Sequence, residues 1–351
     1  MDSSAAGLLA QTFGYGHAVL FGRARSAIAA LIREFGTPGL PVVLPSNVCP
    51  DLCLAIEASS AQPHLVSVDA ASGLPTDARL AAALRALPAG IVMPCHLYGI
   101  WQDHPECLEA ARHANWFVLE NDTLLATARL ERGAARLAKG DALLLSFGNS
   151  KTISLGNGGA LLTDDPALAA ALRGQLRDRP PSGPALAEHE TRVALLRRMH
   201  RDAPIDPDPQ AGVVWSFPAD LEKPLHQALL ELPRSVDRLR RQHGAWSKAL
   251  ARHDLSPAPV PRVPWRWIAR VPRARDAVVA ALRQAGFDAG TNFPPLWRRS
   301  PRWSADPHRA DADRWGEQVL NLWLHEADDA ARLGTAAALI DKALAEHERP
   351  E

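Results

Sequence analysis

The sequence predicts an α/β fold, with a large domain whose mostly parallel sheet is flanked by helices, and a smaller α+β domain at the C-terminus. Two observations lead to this prediction: strand and helix patterns alternate through the first two thirds of the chain, and the organisation changes near Arg177. The chain has 351 residues, of which 47% are hydrophobic, so its length and core suffice for two domains. We expect the large domain at 1–240 and the small domain at 241–351.

Short apolar runs alternate with stretches of helical periodicity up to residue 176. The run 142–147 is apolar except for Ser146, which is typical of a strand buried on both faces of a sheet. The predicted strands are 18–21, 41–44, 64–68, 91–93, 116–119, 142–147 and 159–163. The predicted helices are 26–35, 51–58, 77–87, 105–113 and 166–176. This alternation is typical of βαβ units around a parallel sheet.

The pattern after Arg177 is different. Segments 179–184 and 202–212 are rich in Pro, Asp and Gly and are predicted to be loops, with a basic amphipathic helix at 186–201 between them. A long helix is predicted at 221–252. The remaining predicted elements are a strand at 265–271, a helix at 274–285, an aromatic and proline-rich loop at 292–303, a strand at 318–324 and a helix at 330–347. This order indicates a small α+β domain.

Charge, hydropathy and cysteine content exclude several classes of partner. Lys plus Arg and Asp plus Glu are both 39, for a formal net charge of +0, so we expect no nucleic-acid partner. The apolar runs are too short for a membrane span, and the start of the chain lacks the pattern of a secretory signal. Four cysteines indicate free thiols in a reducing cytoplasm, and no second ligand pair accompanies Cys49 and Cys53, so we expect no metal site.

Lys151 follows closely on the most apolar predicted strand and is one of only five lysines in the chain. Surroundings of low dielectric lower the pKa of a lysine, so that its free amine can act as a nucleophile or attach to a carbonyl carbon. The alternative interpretation is a lysine whose aliphatic stem is buried while its charge reaches water from the strand end.

Asp122 ends another apolar strand, after Glu120 and Asn121. The carboxyl ends of parallel strands are where open α/β sheets bind ligands, so a carboxylate here could serve a ligand. Taken alone, however, an acid at this position is more typical of a loop cap. A neighbouring strand carrying Lys151 would favour the functional interpretation.

The start of the first long predicted helix, at Arg23, Ala24 and Arg25, is a candidate anion site, because the first N–H groups of a helix lack intrahelical partners. An ordinary helix start is the alternative. The glycine turn at 156–159 lacks the spacing of a nucleotide fingerprint and indicates only a sharp change of direction.

Five motifs occur in order along the chain. The most specific is a lysine signature, in which Ser146, Phe147 and Lys151 are followed by LGNGGALLTDD at 155–165. The supporting motifs are PCHLYG at 94–99, NDTLLA at 121–126, TNFPPL at 291–296 and VLNL at 319–322. Together they resemble the DegT/DnrJ/StrS family of sugar aminotransferases, of the aspartate aminotransferase fold type, over residues 15–344.

The resemblance implies pyridoxal 5′-phosphate (PLP) as cofactor. It implies that Lys151 binds the cofactor covalently and then moves a proton, and that Asp122 pairs with the pyridine nitrogen. It also implies that the Ser146 hydroxyl and the backbone of Ala24 and Arg25 hold the phosphate. We further expect the Arg25 guanidinium, which stands where the family has Thr, to contact the phosphate or an anionic group of the substrate. Backbone binding alone is the alternative.

Besides Arg25, two positions and one segment depart from the family pattern, and these departures cluster on the substrate side. Leu125 stands where the family has Gln. Cys49 stands near the position at which the family often has an aromatic residue stacked on the cofactor ring, so we expect Cys49 to contact the cofactor. The segment 212–216 replaces the family's GxNxRM, whose Asn serves the partner subunit.

The resemblance implies a transaminase that moves an amino group from an amino acid, by resemblance glutamate, to a keto sugar or related keto intermediate. It also implies a homodimer with both sites at the interface. One alternative is a PLP enzyme of other outcome, such as a dehydratase, but the related sugar dehydratases replace the lysine by His. The other is a non-catalytic regulator of the same fold, against which Lys151 and Asp122 argue.

Overall fold

A computed structural model of the chain describes residues 4–125, 140–177, 179–181, 208, 210–253, 255–303 and 306–347. Seven strands form its main sheet: β1 His17–Phe21, β2 Pro41–Pro45, β3 Gln62–Val66, β4 Ile91–Val92, β5 Phe117–Asn121, β6 Ala142–Ser146 and β7 Gly159–Thr163. Their order is β1-β7-β6-β5-β4-β2-β3. From β6 to β3 all neighbours pair in parallel, whereas β7 runs antiparallel to β1 and β6. The predicted mostly parallel sheet is confirmed.

Helices cover both faces of this sheet. They are α1 Ala5–Phe13, α2 Ala24–Phe35, α3 Pro50–Ala58, α4 Asp77–Ala86, α5 Pro105–His113 and α6 Pro166–Leu176. Successive side chains of β2 point to opposite layers, as the pleat of a strand requires. Val42 and Leu44 pack with α2, α3 and α6, whereas Val43 packs with α4 and α5. Burial on both faces explains why these strands are uninterrupted apolar runs.

The smaller domain is built on a four-stranded antiparallel sheet in the order β10-β11-β9-β8, its strands being β8 Ser256–Pro257, β9 Trp267–Arg270, β10 Ala289–Gly290 and β11 Val319–Leu322. Four helices accompany it: α7 Glu222–Ala249, α8 Arg275–Gln284, α9 Arg309–Gln318 and α10 Ala330–Glu346. Side chains of α8, α10 and the end of α7 share one apolar cluster with the sheet. The predicted α+β character of this part is confirmed.

Two helices are not among the elements predicted from the sequence. Helix α1 consists mostly of apolar and small residues; its Leu9 and Phe13 are fully buried in a cluster shared with α7. Helix α9 is mostly charged and buries only three residues, among them Trp315. In both helices the buried residues recur at helical spacing, so the sequence carried a signal that the element prediction missed.

The predicted helix at 186–201 and most of the predicted loop at 202–212 lie outside the described residues. Within the described part of the chain, no helix has the length and apolar character that crossing a bilayer requires.

Candidate active site

The carboxyl ends of β5 and β6 lie side by side. The two strands pair in parallel with Asn121 opposite Leu144, and the backbone N–H of Asp122 donates to the Leu144 carbonyl at 3.0 Å. The Asp122 side chain is fully buried. Because β6 leads into Lys151, this pairing brings the predicted acid and the predicted lysine to one edge of the sheet.

Lys151 lies in a closed loop that leaves β6 at Ser146 and returns to the sheet at Gly159. The loop is tied at its base by hydrogen bonds from Phe147 N to Gly158 O at 3.0 Å and from Leu155 N to Phe147 O at 2.8 Å. Beside Lys151, the Thr152 hydroxyl donates to the carbonyl of Leu124 at 3.3 Å. The lysine loop is thus attached to the segment that carries Asp122.

The amine of Lys151 has an altered proton affinity. Burial lowers its pKa to about 8, the positive charge of Arg266 acts in the same direction, and Cys49 and Asp51 act against it. A lysine whose pKa is lowered in this way has a much larger fraction of free amine near neutral pH than an ordinary lysine. A lowered pKa is what the sequence-based hypothesis for Lys151 requires, and its role as a nucleophile stays a prediction.

The N-terminus of α2 lies against the same loop. Gly158 N donates to Gly22 O at 2.9 Å, and a guanidinium N–H of Arg23 donates to Gly156 O at 3.1 Å. A Cβ atom on Gly159 would fall 2.5 Å from the backbone nitrogen of Ala24. Only glycine permits this close approach of the two backbones. Gly159 pairs with Ser146 across the β6–β7 ladder. The approach therefore brings the first N–H groups of α2 close to Ser146.

The side chain of Arg25 is buried and forms an ion pair with Asp208, with 3.0 Å between Nη1 and Oδ2. The guanidinium therefore has an anionic partner within the chain. This arrangement favours the alternative in which the helix backbone alone binds an anion at this site. The contact between the Arg25 guanidinium and a phosphate that the sequence predicts is not tested by any observation, and the ion pair with Asp208 argues against it.

Cys49 is the residue before α3 and is half-buried, with a free thiol. A negative charge on this thiol would raise the pKa of Lys151, so Cys49 lies within electrostatic reach of the amine. Leu125, which replaces the family's Gln, is buried and has a left-handed backbone with φ of 54°. Among the described residues, no three His, Cys, Asp or Glu side chains cluster as metal ligands would.

The small domain also reaches the lysine loop. The indole N–H of Trp265 donates to the carbonyl of Ser150 at 2.7 Å, and the Trp265 ring stacks on Phe293 with centroids 6.0 Å apart. The next residue, Arg266, is buried between Trp265 and Trp323. Sequence reasoning missed this group, although an arginine between two tryptophans at 265–267 is a signal that could have been followed.

Tyr98 is a second group to which the sequence analysis assigned no role, although it lies in the PCHLYG motif. Its buried hydroxyl accepts hydrogen bonds from Asn47 Nδ2 at 3.2 Å, Phe293 N at 3.3 Å and Trp315 Nε1 at 2.9 Å. Burial raises the pKa of this phenol to about 12 against the effect of those bonds. Tyr98 therefore stays neutral and ties the end of β4 to the aromatic loop of the small domain.

Comparisons with known proteins agree on one family. The model of the DegT/DnrJ/EryC1/StrS aminotransferase family matches residues 6–185. GDP-perosamine synthase of Caulobacter vibrioides is 32% identical over 161 residues, which are 46% of this chain and 43% of that protein. This alignment therefore spans less than half of the relative's length.

A second curated relative aligns over nearly the whole chain. It is the dTDP-4-dehydro-2,3,6-trideoxy-D-glucose 4-aminotransferase of Saccharopolyspora spinosa, 24% identical over 345 residues, with 93% of this chain and 83% of that protein covered. The crystal structure of a DegT DnrJ EryC1 StrS aminotransferase from Brucella abortus has the same fold, with a TM-score of 0.75 at 19% identity, covering 96% of this chain and 88% of that one.

The matched segment 6–185 takes in all seven strands of the main sheet, the lysine loop and Asp122. It amounts to half of the chain and contains the motif from which the resemblance was inferred. The predicted relationship is thereby confirmed, and the chain belongs to the DegT/DnrJ/EryC1/StrS aminotransferase family.

Proposed function

We propose that the chain is an aminotransferase that uses pyridoxal phosphate to move an amino group from an amino acid to a keto sugar or a related keto intermediate. The aminotransferases of its family depend on this cofactor, which agrees with the cofactor expected from the sequence. The observation on which the proposal rests is Lys151, a lysine of lowered pKa in a loop bonded to the segment that carries the buried Asp122.

The residues present fit the cofactor. A lysine with a pKa of about 8 suits attachment to an aldehyde, and a buried carboxylate suits a protonated ring nitrogen. The N-terminus of α2, brought close by Gly159, suits a phosphate. Lys151 would hold the aldehyde end, Asp122 the ring, and Ser146 with the backbone of Ala24 the phosphate.

When bound, pyridoxal phosphate supplies a conjugated ring that accepts the electron pair left when a substrate carbon loses its proton. The chain supplies the proton movement and the charge. Lys151 Nζ, with its pKa near neutrality, can take a proton from the substrate carbon and return it elsewhere. The Asp122 carboxylate, fully buried, would stabilise a positive charge on the ring nitrogen of the bound cofactor.

The acceptor in this proposal is a sugar with a keto group. The names of the two curated relatives refer to nucleotide-linked sugars, and one of them names a 4-aminotransferase. The donor follows from the resemblance alone and is proposed to be glutamate. The retained Lys151 favours amino transfer over the dehydratase alternative, whose enzymes carry His at that position.

The function is tested with the PLP-loaded protein, L-glutamate and a panel of nucleotide-linked 4-keto sugars. We expect 2-oxoglutarate from the first half-reaction and, with a suitable acceptor, an amino sugar identified by mass. Lys151→Ala should abolish both products, whereas Lys223→Ala, at an exposed position of α7, should leave them unchanged. Absence of any keto acid with all common amino acids, or full turnover by Lys151→Ala, would contradict the proposal.

We also propose a homodimer with both active sites at the subunit interface. The fold type implied by the resemblance places its cofactor between subunits, and two-fold dimers are the commonest oligomers. Trp215 and Phe217, both half-buried, are the aromatic residues that we expect at this interface. Analytical ultracentrifugation at micromolar protein should give twice the chain mass, and a monomer that is fully active at nanomolar dilution would refute the dimer.

The cytoplasm is the compartment that we propose for the protein. Cys53, Cys95 and Cys107 are buried as free thiols, and burial raises the pKa of each. Such thiols are unreactive and need no oxidising compartment. Fractionation of expressing cells should recover the protein with cytoplasmic markers.

A further inference from the structure

Arg266 has an unusual position for a charged side chain. It directly precedes β9, is only 4% exposed, and its guanidinium carbon lies 3.6 Å from the ring centroid of Trp265 and 3.3 Å from that of Trp323. The pairing of β9 with β11, with Trp267 opposite Leu322, fixes where Trp323 stands. The planar guanidinium lies between two indole faces. Its N–H groups point outward in its own plane, so an acceptor can bind only at the edge of the guanidinium.

This cation belongs to the surroundings of Lys151. Trp265, which covers one face of the guanidinium, donates to Ser150, the residue before Lys151. The charge of Arg266 also acts on Lys151 and on Tyr98, whose hydroxyl is bonded to Phe293 N. Arg266 is therefore a buried, oriented cation next to the amine on which the proposed chemistry depends.

The two proposed substrates differ in where they carry charge. An α-amino acid carries its carboxylate on the same carbon as its amino group, so donor chemistry at Lys151 brings an anion into this buried region. A keto sugar has no charge beside its reacting carbon. A carboxylate removed from water is costly unless it is paired, and the edge of a guanidinium binds it with two parallel hydrogen bonds.

We propose that Arg266 binds the α-carboxylate of the amino donor beside Lys151. The assignment rests on the proposed aminotransferase function and deepens it, because it names the residue that selects the amino donor. The two tryptophans serve as positioning residues, since their rings fix the plane in which the carboxylate must lie.

The test compares two probes that bind the PLP-loaded protein without turnover of a sugar. α-Methyl-L-glutamate keeps the α-carboxylate but lacks the hydrogen that transfer removes, and 4-aminobutanoate lacks the α-carboxylate. Dissociation constants are measured by calorimetry for the parent, Arg266→Met, Arg266→Lys and the matched control Arg270→Met. Arg270 is on β9 and its Nη1 donates to Gln318 at 3.4 Å.

We expect Arg266→Met to weaken the binding of α-methyl-L-glutamate by about tenfold or more, which corresponds to the loss of one charged hydrogen-bonded pair. The dissociation constant of 4-aminobutanoate should be unchanged, so the ratio of the two constants reports the carboxylate contact even if the variant is less stable. Arg266→Lys should show a smaller loss, because an ammonium lacks the planar fork, and Arg270→Met should match the parent.

An unchanged ratio in both Arg266 variants, while the parent distinguishes the two probes, would overturn the assignment and leave the aminotransferase proposal standing. The assignment is equally overturned if Arg270→Met changes the ratio as much as Arg266→Met. If the parent binds neither probe and shows no response to any amino acid, the aminotransferase proposal itself fails, and the role of Arg266 fails with it.

Discussion

Asp122 is fully buried at the end of β5, where its backbone N–H donates to β6. This position suggests that its carboxylate stabilises a positive charge on the cofactor ring. In Asp122→Asn the amide can still contact a ring nitrogen but cannot keep it protonated. We expect turnover to fall by about a hundredfold or more, while PLP affinity changes by less than about threefold. Steady-state kinetics and a PLP titration measure the two effects. Asp220→Asn, at an exposed position, is the control. Near-normal turnover of Asp122→Asn would show that this carboxylate has another role.

Arg25 and Asp208 form a buried ion pair at the first turn of α2. Arg25→Thr restores the family's residue but removes that pair, so we expect a loss of stability of about 3 kcal/mol, as for other broken buried pairs. Because the guanidinium is engaged with Asp208, PLP affinity should stay within about threefold of the parent for both Arg25→Thr and Arg25→Ala. Urea unfolding and a PLP titration provide the measurements. A tenfold or larger loss of affinity in Arg25→Ala would instead indicate a direct phosphate contact.

The part of the candidate site that lies on the main sheet could be predicted from the sequence, because a strand pattern fixes where each strand ends. Lys151 and Asp122 follow apolar strands, and the ends of parallel neighbours must meet. Arg266 and Tyr98 could not be found in this way. Their positions depend on how the small domain packs on the large one, and no local pattern encodes a contact between residues more than a hundred positions apart.

Gly159 begins β7 at the point where the first turn of α2 touches the sheet. A Cβ atom there would lie 2.5 Å from Ala24 N and 2.6 Å from Ala24 Cα, both backbone atoms that cannot move aside cheaply. We expect Gly159→Ala to cost about 2 kcal/mol of stability and to weaken PLP binding, because α2 must shift away from Ser146. Gly174→Ala is the control: this helical glycine has no atoms within 4 Å of the added methyl, and the change should stabilise by up to about 1 kcal/mol. Gly159→Ala with parental stability and PLP affinity would show that this contact is unimportant.

His104 precedes α5 and is buried. Burial lowers its pKa from 6.5, and the nearby carboxylates of Asp77 and Asp103 only partly oppose that effect; the ring of His96 stacks at 6.3 Å. Below about pH 6.5 the imidazole of His104 becomes protonated in the unfolded chain but stays neutral in the folded one. Stability should therefore be lost as pH falls below about 6.5, by at most about 1.4 kcal/mol per pH unit for one proton. Urea unfolding at pH 7.5 and 5.5 should show a smaller pH effect in His104→Gln. An equal pH effect in both proteins would exclude His104 as its source.

Most elements could be predicted within two or three residues because their apolar positions repeat with the period of a strand or a helix. The glycine turn before β7 could be predicted, but the direction of β7 could not. Whether a strand after a short loop runs antiparallel depends on where that loop folds, and here hydrogen bonds across the base of the lysine loop decide it. Helices α1 and α9 are not among the predicted elements, although their buried residues recur at helical spacing.

The two domains meet along the long helix α7, and we propose that the boundary lies near residues 240 and 241. Leu225, Leu229 and Val236 in the first part of this helix pack with α1 and with β6 and β7, whereas Trp246 packs with the small sheet. The helix therefore changes from one apolar core to the other within a few turns. Such a rigid connection would keep Trp265 and Arg266 in place above the lysine loop.

Covalent attachment of pyridoxal phosphate to Lys151 is the step on which the proposed function depends. Borohydride reduction of the PLP-loaded protein, followed by proteolysis and peptide mapping, tests it directly, since reduction makes the attachment permanent. We expect the label on the peptide that contains Lys151 and on none of the other four lysines, and we expect no label in Lys151→Ala. Label on Lys139, Lys223, Lys248 or Lys342, or no label on a protein that has bound the cofactor, would contradict this attachment.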